Sequence, residues 1–325
     1  NDAVIPSPAD YDNAVKDLDI MAVITRIKQA IRSSQSCFPA DTFNGVDTYG
    51  PLFIRLAWHC AGTFRTSDDL GGCAGGRQRF EPERSWEDNT NLDKARALLA
   101  EIKEEFGDAL SWGDLMIFAG TAAILDMEGP VSELCAGRVD EADGSASAPL
   151  GPGPEADMAC PFGNGNCSEP LGASTIGLIY VNPEGFLGNP DPVRSSVQVR
   201  EVFKRMDFDD RETVALIGGG HAFGKCHGPC PAGPGVPPKE NITNPWAGEC
   251  GTGIGADTYT SGFEGAWTDT PEKWSNQYFR LLVEETYEVF IGPGDKNQWR
   301  IANSTRDLLM LTSDIALIKD DDFKA

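Results

Sequence analysis

One segment constrains the fold more than any other, because it is apolar on nearly every side. Ser111 to Met127 has the length of a helix and no continuous polar face. Such a helix is stable only when other elements surround it. Ser111, with Asp114 three residues later, is typical of a helix N-cap. The sequence therefore predicts a buried helix with other elements packed around it.

Further helices are predicted where apolar residues recur at helical spacing. The predicted segments are 11–31, 48–63, 91–106, 171–180, 195–205, 210–218, 273–291 and 305–317. Strand-like alternation is scarce, so the predicted fold class is mainly α. Neither an internal repeat nor a linker is evident, and we predict a single domain over residues 1–325.

Two glycine- and proline-rich stretches, 128–193 and 228–265, interrupt the predicted helices. A long stretch without periodicity inside a compact domain is usually functional or held by disulfides. The nine cysteines, most of them in Gly/Pro-rich stretches, allow up to four disulfides and one odd thiol. Asn166, Asn241 and Asn303 begin glycosylation sequons.

These features predict a secreted glycoprotein. The sequence begins Asn1-Asp2-Ala3 rather than with methionine, which we interpret as a mature product whose signal peptide has been removed. A cytosolic protein with nine free thiols is the alternative.

The charge balance bears on partners. Lys plus Arg number 27 against 50 Asp plus Glu, a formal net charge of −23. Nucleic acids and anionic membrane surfaces would be repelled by such a chain. No apolar run approaches the roughly 18 residues that a membrane helix needs. We therefore expect neither a nucleic acid nor a membrane as a partner.

Two of the three histidines lie in segments that indicate chemistry. Arg55, Trp58 and His59 are spaced i, i+3 and i+4, so they share one face of a predicted helix. A neutral imidazole there can take a proton from a bound hydroperoxide and return it to the leaving oxygen. Arg55 is a permanent cation that can stabilise charge on that oxygen. For His59 alone, a structural buried histidine is the alternative.

The second segment contains His221, which follows three glycines. Glycine allows the backbone to approach a flat ligand closely. A neutral imidazole is the usual proximal haem ligand, and a carboxylate on its other nitrogen raises its basicity. Asp314 is the candidate partner, because an acid within the apolar run 310–317 is costly unless it is paired. Haem would suit both histidine segments.

Two other interpretations concern the same region. Gly219 to Lys225 matches a phosphate-binding loop, although Cys226 replaces the Ser or Thr that should follow and the parallel-sheet context is missing. Cys226 and His227 with Cys230 could ligate zinc. In an oxidising compartment, these cysteines would instead form disulfides.

The motifs together resemble the catalase-peroxidases. The matching segments keep their order from about residue 50 to 318 and include 52–63 (LFIRLAWHCAGT), 91–96 (NLDKAR), 177–192 (GLIYVNPEGFLGNPDP), 212–227 (ETVALIGGGHAFGKCH), 260–267 (TSGFEGAW) and 310–317. The resemblance implies an all-α haem peroxidase fold of the intracellular-type branch. One haem b would lie between a distal lobe, about 1–135, and a proximal lobe, about 195–325.

The resemblance also implies residue roles. Arg55, Trp58 and His59 match the distal trio, and Asn89 matches the residue that orients the distal histidine. His221 matches the iron ligand, with Trp267 and Asp314 as its proximal partners, and Ser261 matches a position near a haem propionate. Further cofactor-binding candidates come from the glycine-rich segment: Gly220, Phe223 and Gly224. A covalent adduct that supports catalase activity in the family would here join Trp58, Tyr180 and Met206.

The resemblance implies an enzyme that uses hydrogen peroxide to oxidise a small-molecule electron donor. Members are usually duplicated and carry a mobile arginine beyond the position of Asp314, whereas the printed sequence ends eleven residues after it. We expect from this a weaker catalase activity. The cysteines and sequons suggest a secreted eukaryotic relative. The alternatives are a monofunctional secreted peroxidase and a non-catalytic haem or electron-transfer protein.

Overall fold

Helices dominate the part of the chain that the structure describes. This computed structural model describes residues 5–150, 181–233, 235, 237, 240, 250–251 and 255–325. The predicted helix at 171–180 lies outside those residues. The strands within them form short antiparallel pairs. The mainly α fold class is therefore confirmed.

The N-terminal half is built around the predicted apolar helix. Its elements are α1 (Pro8–Lys16), α2 (Ile20–Ile31), β1 (Asp41–Phe43), β2 (Val46–Thr48), α3 (Gly50–Ala61), α4 (Leu92–Phe106) and α5 (Trp112–Asp126). Ser111 caps α5 by accepting the Asp114 N–H at 3.0 Å, as predicted. Gly120 of α5 lets α3 approach closely, because a Cβ there would lie 2.5 Å from the Ala57 Cβ.

The C-terminal half has its own set of elements. These are α6 (Pro192–Lys204), α7 (Asp210–His221), β3 (Lys225–Cys226), β4 (Gly265–Ala266), α8 (Gln277–Glu284), β5 (Tyr287–Ile291), β6 (Asn297–Ile301), α9 (Thr312–Lys319) and α10 (Asp321–Lys324). In the β5–β6 hairpin, Tyr287 lies opposite Ile301.

Two apolar cores correspond to the two halves. One gathers side chains of α2 to α5 and includes Phe223 from the other half. The second gathers side chains of α6 to α9 and the hairpin, and Trp58 of α3 packs against it. Each half therefore places at least one aromatic side chain against the core of the other half. The single-domain assignment and the lobe boundaries stay predictions.

Four predicted helices were wrong in extent, and one of them, 210–218, continues to His221 as α7. Segment 11–31 is two helices, because the Asp19 side chain accepts the Ala22 N–H and starts a new one. Within segment 273–291, only α8 is helical. The last five residues, rich in β-branched and aromatic side chains, form β5, and the chain turns after it at Gly292–Gly294. Segment 305–317 is helical only from Thr312, because Leu309 and Met310 hydrogen-bond to Ala266 and Trp299 instead.

Candidate haem site

The α3 helix places three predicted side chains on one cavity wall. Arg55, Trp58 and His59 all line a cavity of about 640 Å³, as their helical spacing predicts. Trp58 also stacks on Phe203 of α6, with ring centroids 5.7 Å apart. The helix therefore faces both the cavity and the C-terminal core.

Asn89 fixes the orientation of His59. The Asn89 Nδ2 donates to the Glu83 carbonyl at 2.8 Å, so its Oδ1 is the atom that faces His59. The His59 Nδ1 lies 3.0 Å from that oxygen and donates to it. This hydrogen bond selects the tautomer in which Nε2 is the basic nitrogen. The arrangement suits a proton acceptor.

Backbone carbonyls hold Arg55. Its guanidinium donates to the carbonyls of Asp88 at 2.6 Å and Thr90 at 2.9 Å. Burial lowers the pKa of Arg55 to about 10, which still leaves it a cation at neutral pH. Its Nε is buried without a hydrogen-bond partner among the described residues. A positive charge is thereby fixed beside His59.

The opposite wall is formed by the end of α7. A capping box of Asp209 and Glu212 starts this helix, and it continues through the glycines to His221 rather than ending at 218. Gly218 is required by packing, because a Cβ there would overlap the Phe279 ring. At Gly220 a Cβ would meet no atom within 4 Å, and Gly220 lines the cavity. Its bare backbone therefore opens onto the cavity.

His221 has the carboxylate partner that the sequence indicated. Its Nδ1 lies 2.7 Å from the Asp314 Oδ1, and the Trp267 Nε1 donates to Oδ2 at 2.9 Å. The imidazole and the Trp267 indole are stacked, with centroids 4.2 Å apart. The structure thus brings together the three predicted proximal residues.

Sequence reasoning missed Tyr278 in this group. Its hydroxyl donates to the Asp314 Oδ1 at 2.7 Å, and the Leu311 N–H donates to Oδ2 at 2.7 Å. Burial raises the pKa of Tyr278 well above its ordinary value, so it stays a donor. Burial also acts to raise the pKa of Asp314, but its interaction with the adjacent His221 ring and these hydrogen bonds hold it below its ordinary value. The buried carboxylate is therefore ionised, and each of its two oxygens takes part in two hydrogen bonds.

The remaining cofactor candidates lie at the same cavity. Ser261, Phe223 and Gly224 all line it. The Ser261 hydroxyl donates to the His227 carbonyl at 3.1 Å. Gly224 has φ +74°, and a Cβ there would lie 2.6 Å from Pro51 of α3, so glycine also permits the contact between the halves.

The adduct trio is only partly described. Met206 is buried in the same core as Phe203, and Trp58 packs against that core. Tyr180 lies outside the described residues. The adduct therefore stays a prediction.

The third histidine belongs to a charged cluster that sequence reasoning also missed. His227 lies between Glu264 (Nδ1 to Oε1, 2.8 Å) and Asp41 (Nε2 to Oδ2, 3.0 Å). Lys225 Nζ is 3.0 Å from the other oxygen of Asp41. Burial by itself lowers the pKa of His227, but the two carboxylates outweigh it and raise the pKa from 6.5 to about 9. Asp41 comes from the N-terminal half and Glu264 from the C-terminal half, so this imidazolium links them.

The two other interpretations of this region are wrong. Gly219 to Lys225 spans the end of a helix, whereas a phosphate-binding loop precedes one. Cys230 is bonded to Cys250, which removes it as a zinc ligand. Within the described ranges, no group of three or more His, Cys, Asp or Glu side chains could hold a metal ion.

Two disulfides are present among the described cysteines. Cys60, the neighbour of His59, is bonded to Cys73, and Cys230 is bonded to Cys250. Cys37, Cys135 and Cys226 are free thiols. Cys160 and Cys167, and the sequons at Asn166 and Asn241, lie outside the described residues. Asn303 is exposed in a turn after β6.

The cavity fits a haem. It lies between His59 and His221, and apolar atoms form most of its wall, as is usual for a cofactor pocket. The bare backbone at Gly220 and the buried Arg55 Nε both open toward a group that the protein itself does not supply. His221, with its carboxylate partner, is the donor that would bind the iron.

Comparison with known proteins places the chain in a class. The family described as peroxidase matches residues 25–325, so the chain belongs to the peroxidase family.

Within that class it is similar to catalase-peroxidases. It is 44% identical to that of Escherichia coli over 98% of this chain and 45% of the relative. It is 42% identical to that of Salinibacter ruber over 97% of this chain and 45% of the relative. The chain thus spans less than half the length of these curated relatives.

A helix that spans a bilayer must be long and apolar. Across the described parts of the chain, no helix has both the length and the apolar character needed to cross one.

Proposed function

We propose that this protein is a haem b peroxidase that reduces hydrogen peroxide to water and oxidises a small-molecule donor. The observation that carries the proposal is the pair of differently partnered histidines across one cavity. His59 hydrogen-bonds Asn89, and His221 hydrogen-bonds Asp314. A simple haem carrier has no need of a positioned acid–base group beside a fixed cation.

The haem would be held by His221 and would supply redox-active iron when bound. Asp314 keeps the other imidazole nitrogen hydrogen-bonded, which orients the ring and raises its basicity. Trp267 stacks on that ring and donates to the same carboxylate. These contacts leave the iron-binding nitrogen, Nε2, aimed away from Asp314.

On the opposite wall, His59 moves the proton. Its Nε2 accepts a proton from the first oxygen of hydrogen peroxide and returns it to the second oxygen as the O–O bond breaks. Arg55 stabilises the negative charge that develops on the departing oxygen. One peroxide and two donor molecules, each losing a hydrogen atom, then yield two waters and two donor radicals.

A catalase activity is the finer part of the proposal. Here a second peroxide replaces the donors, and two peroxides give two waters and dioxygen. The support is the resemblance of Trp58, Tyr180 and Met206 to the adduct-forming set, together with the packing of Trp58 against the core in which Met206 is buried. Each bond of the adduct removes two electrons from the side chains, and peroxide accepts them to become water.

An absorption spectrum tests the main proposal. The purified protein should show a strong haem band that changes within seconds of adding hydrogen peroxide and returns when a phenol is supplied. Absence of a haem band, or a band that peroxide leaves unchanged, would contradict it. The second result would favour a non-catalytic haem protein.

Two further measurements divide catalase from monofunctional peroxidase activity. Dioxygen release from peroxide alone reports the first, and donor oxidation reports the second. Peptide mapping should recover Trp58, Tyr180 and Met206 on one linked species. If the three residues are recovered on separate peptides, the adduct is absent and the protein is a monofunctional peroxidase.

The cellular location is proposed as extracellular. The two disulfides and the exposed sequon at Asn303 support a secreted glycoprotein. Treatment with an N-glycan-removing enzyme should lower the mass of protein purified from its source. An unchanged mass, together with nine free thiols in the freshly purified protein, would contradict the proposal.

A further inference from the structure

The first turn of α8 packs against the cavity wall that carries His221. Tyr278 lies in this turn and is fully buried. Its ring crosses the His221 imidazole at 71°, with centroids 5.9 Å apart. Its hydroxyl lies 2.7 Å from the Asp314 Oδ1, and the His221 Nδ1 lies 2.7 Å from the same atom. The tyrosine and the histidine therefore share one carboxylate oxygen.

The neighbours of Tyr278 in the chain fix its position. The Gln277 Nε2 donates to the Asp269 Oδ2 at 2.6 Å, and the Asp269 N–H donates to the Gln277 Oε1 at 2.7 Å. The Phe279 ring fills the space beside Gly218, where a Cβ would overlap it. The start of α8 is thereby bound both to α7 and to the segment that follows β4. Contacts other than its own hydrogen bond thus hold the Tyr278 ring in place.

The orientation of Asp314 does not depend on the tyrosine. Its Oδ2 accepts from the Trp267 Nε1 at 2.9 Å and from the Leu311 N–H at 2.7 Å. These two donors fix the direction of the carboxylate, so Oδ1 faces His221 whether or not a second donor contacts it. The Tyr278 hydroxyl therefore acts on the charge of Oδ1 rather than on its position.

The two donors on Oδ1 compete for that charge. A carboxylate has no proton to give, so the Tyr278 hydroxyl is a donor, as is the His221 Nδ1–H. Each bond is weaker than it would be alone, because both draw on the negative charge of one oxygen. The effect is large at a buried site, where hydrogen bonds are electrostatically stronger than in water. The hydroxyl thus reduces the pull of Asp314 on the imidazole.

We infer that Tyr278 is a positioning residue that acts through Asp314 to limit electron donation by His221 and so sets the reduction potential of the haem iron. This inference rests on the proposed haem peroxidase function. A carboxylate partner raises the basicity of a metal-binding imidazole, and a competing donor on that carboxylate lowers it again. A weaker ligand stabilises ferric iron less relative to ferrous iron, which raises the potential. Tyr278 is not among the residues that line the cavity, so it contacts neither haem nor substrate.

The test replaces Tyr278 with phenylalanine in the haem-loaded protein, which keeps the ring and removes only the hydroxyl. Spectroelectrochemistry measures the ratio of ferric to ferrous haem at each applied potential. At the wild-type midpoint this ratio should rise about tenfold in Y278F, since hydrogen-bonded partners behind a metal ligand typically account for about that factor. Tenfold corresponds to a midpoint about 59 mV lower for a one-electron couple. An unchanged or higher midpoint would overturn the inference, and a higher one would show that the hydroxyl orients the carboxylate.

Tyr287→Phe is the matched control. Tyr287 packs against the same core as Tyr278, and its hydroxyl is buried without a hydrogen-bond partner among the described residues. Y287F therefore makes the same chemical change nearby without removing a bond to Asp314. Its midpoint should equal that of the wild type. Equal shifts in Y278F and Y287F would show that the loss of any hydroxyl in this core moves the potential, which would overturn the role of Tyr278.

Proton NMR separates this inference from the proposed function. If the purified protein contains no haem and takes up none, the proposed function fails, and the same two variants are compared through the resonance of the His221 Nδ1–H. In Y278F this resonance should move downfield, because the hydrogen bond to Asp314 strengthens once the competing donor is gone. Y287F should leave it in place. A resonance that Y278F does not move would overturn the competition between Tyr278 and His221.

Discussion

The two walls of the cavity use the same side chain with opposite partners. On one wall His59 donates to the neutral amide of Asn89 at 3.0 Å. On the other, His221 lies 2.7 Å from the ionised carboxylate of Asp314. A neutral acceptor fixes the tautomer of an imidazole without adding charge, whereas a carboxylate makes it a stronger donor to a metal. The hydrogen-bond partner of each histidine, rather than the histidine itself, therefore determines whether it moves a proton or binds the iron.

The contrast extends to the supports behind each partner. Asn89 is held by one backbone carbonyl, that of Glu83. Asp314 accepts from Trp267, Tyr278 and the Leu311 N–H as well as from His221. An ionised group needs many donors when buried, whereas an amide needs few. The two walls therefore differ in how much surrounding structure each function requires.

The largest effect is expected from His59→Leu. Removing the proton acceptor should slow the reaction with hydrogen peroxide by about 10²–10⁴-fold, since general acid–base catalysis is worth that much. Stopped-flow absorption of the haem band measures the rate, and an unchanged resting spectrum verifies that haem is still bound. A rate equal to that of the wild type would place proton transfer elsewhere and favour a haem carrier.

His227→Gln tests the link between the two walls. The pKa of His227 is raised from 6.5 to about 9, so its stabilising charge is fully present below pH 6.5 and is lost as pH rises through 9. That difference corresponds to about 3 kcal/mol. In chemical denaturation the wild-type free energy of unfolding should decline over this pH range, and that of H227Q should decline less. If the free energies of unfolding of the wild type and H227Q decline equally with pH, the charged His227 does not stabilise the contact between the two halves.

Asp314→Asn makes the proximal wall resemble the distal one. The carboxylate partner of a metal-binding histidine typically accounts for about 10–100-fold in metal affinity or activity. Haem transfer to an excess of a haem-free acceptor protein should therefore accelerate by a similar factor. Asp320→Asn is the control, because it loses an ion pair with Arg200 and leaves His221 untouched. Equal haem-transfer rates in the two variants would show that Asp314 does not strengthen haem binding through His221.

Local patterns predicted the parts of the fold that local rules determine. Residues 111–127 were predictable because their apolar character and N-cap agree. The β5–β6 hairpin was not, because Tyr287 to Ile291 also fits a helical pattern and only pairing with Asn297–Ile301 decides between the two. The break at Asp19 was missed because the apolar spacing continues across it.

The site shows the same limit. Arg55 and His59 could be placed together because they share one helix, and Asp314 because a lone acid in an apolar run needs a partner. Tyr278 gave no such signal, since a tyrosine in an apolar segment is ordinary core until its hydroxyl is seen on Asp314. The Asp41–His227–Glu264 cluster joins three distant segments, and no spacing rule connects them.

Asn89→Asp is the most direct test of the claim that the partner sets the role. It gives His59 the kind of partner that His221 has, and a carboxylate favours the protonated imidazole. The pH profile for the reaction with hydrogen peroxide should then shift its acid limb upward by about 1–3 pH units. A profile that matches the wild type would show that the partner does not divide the roles of the two histidines.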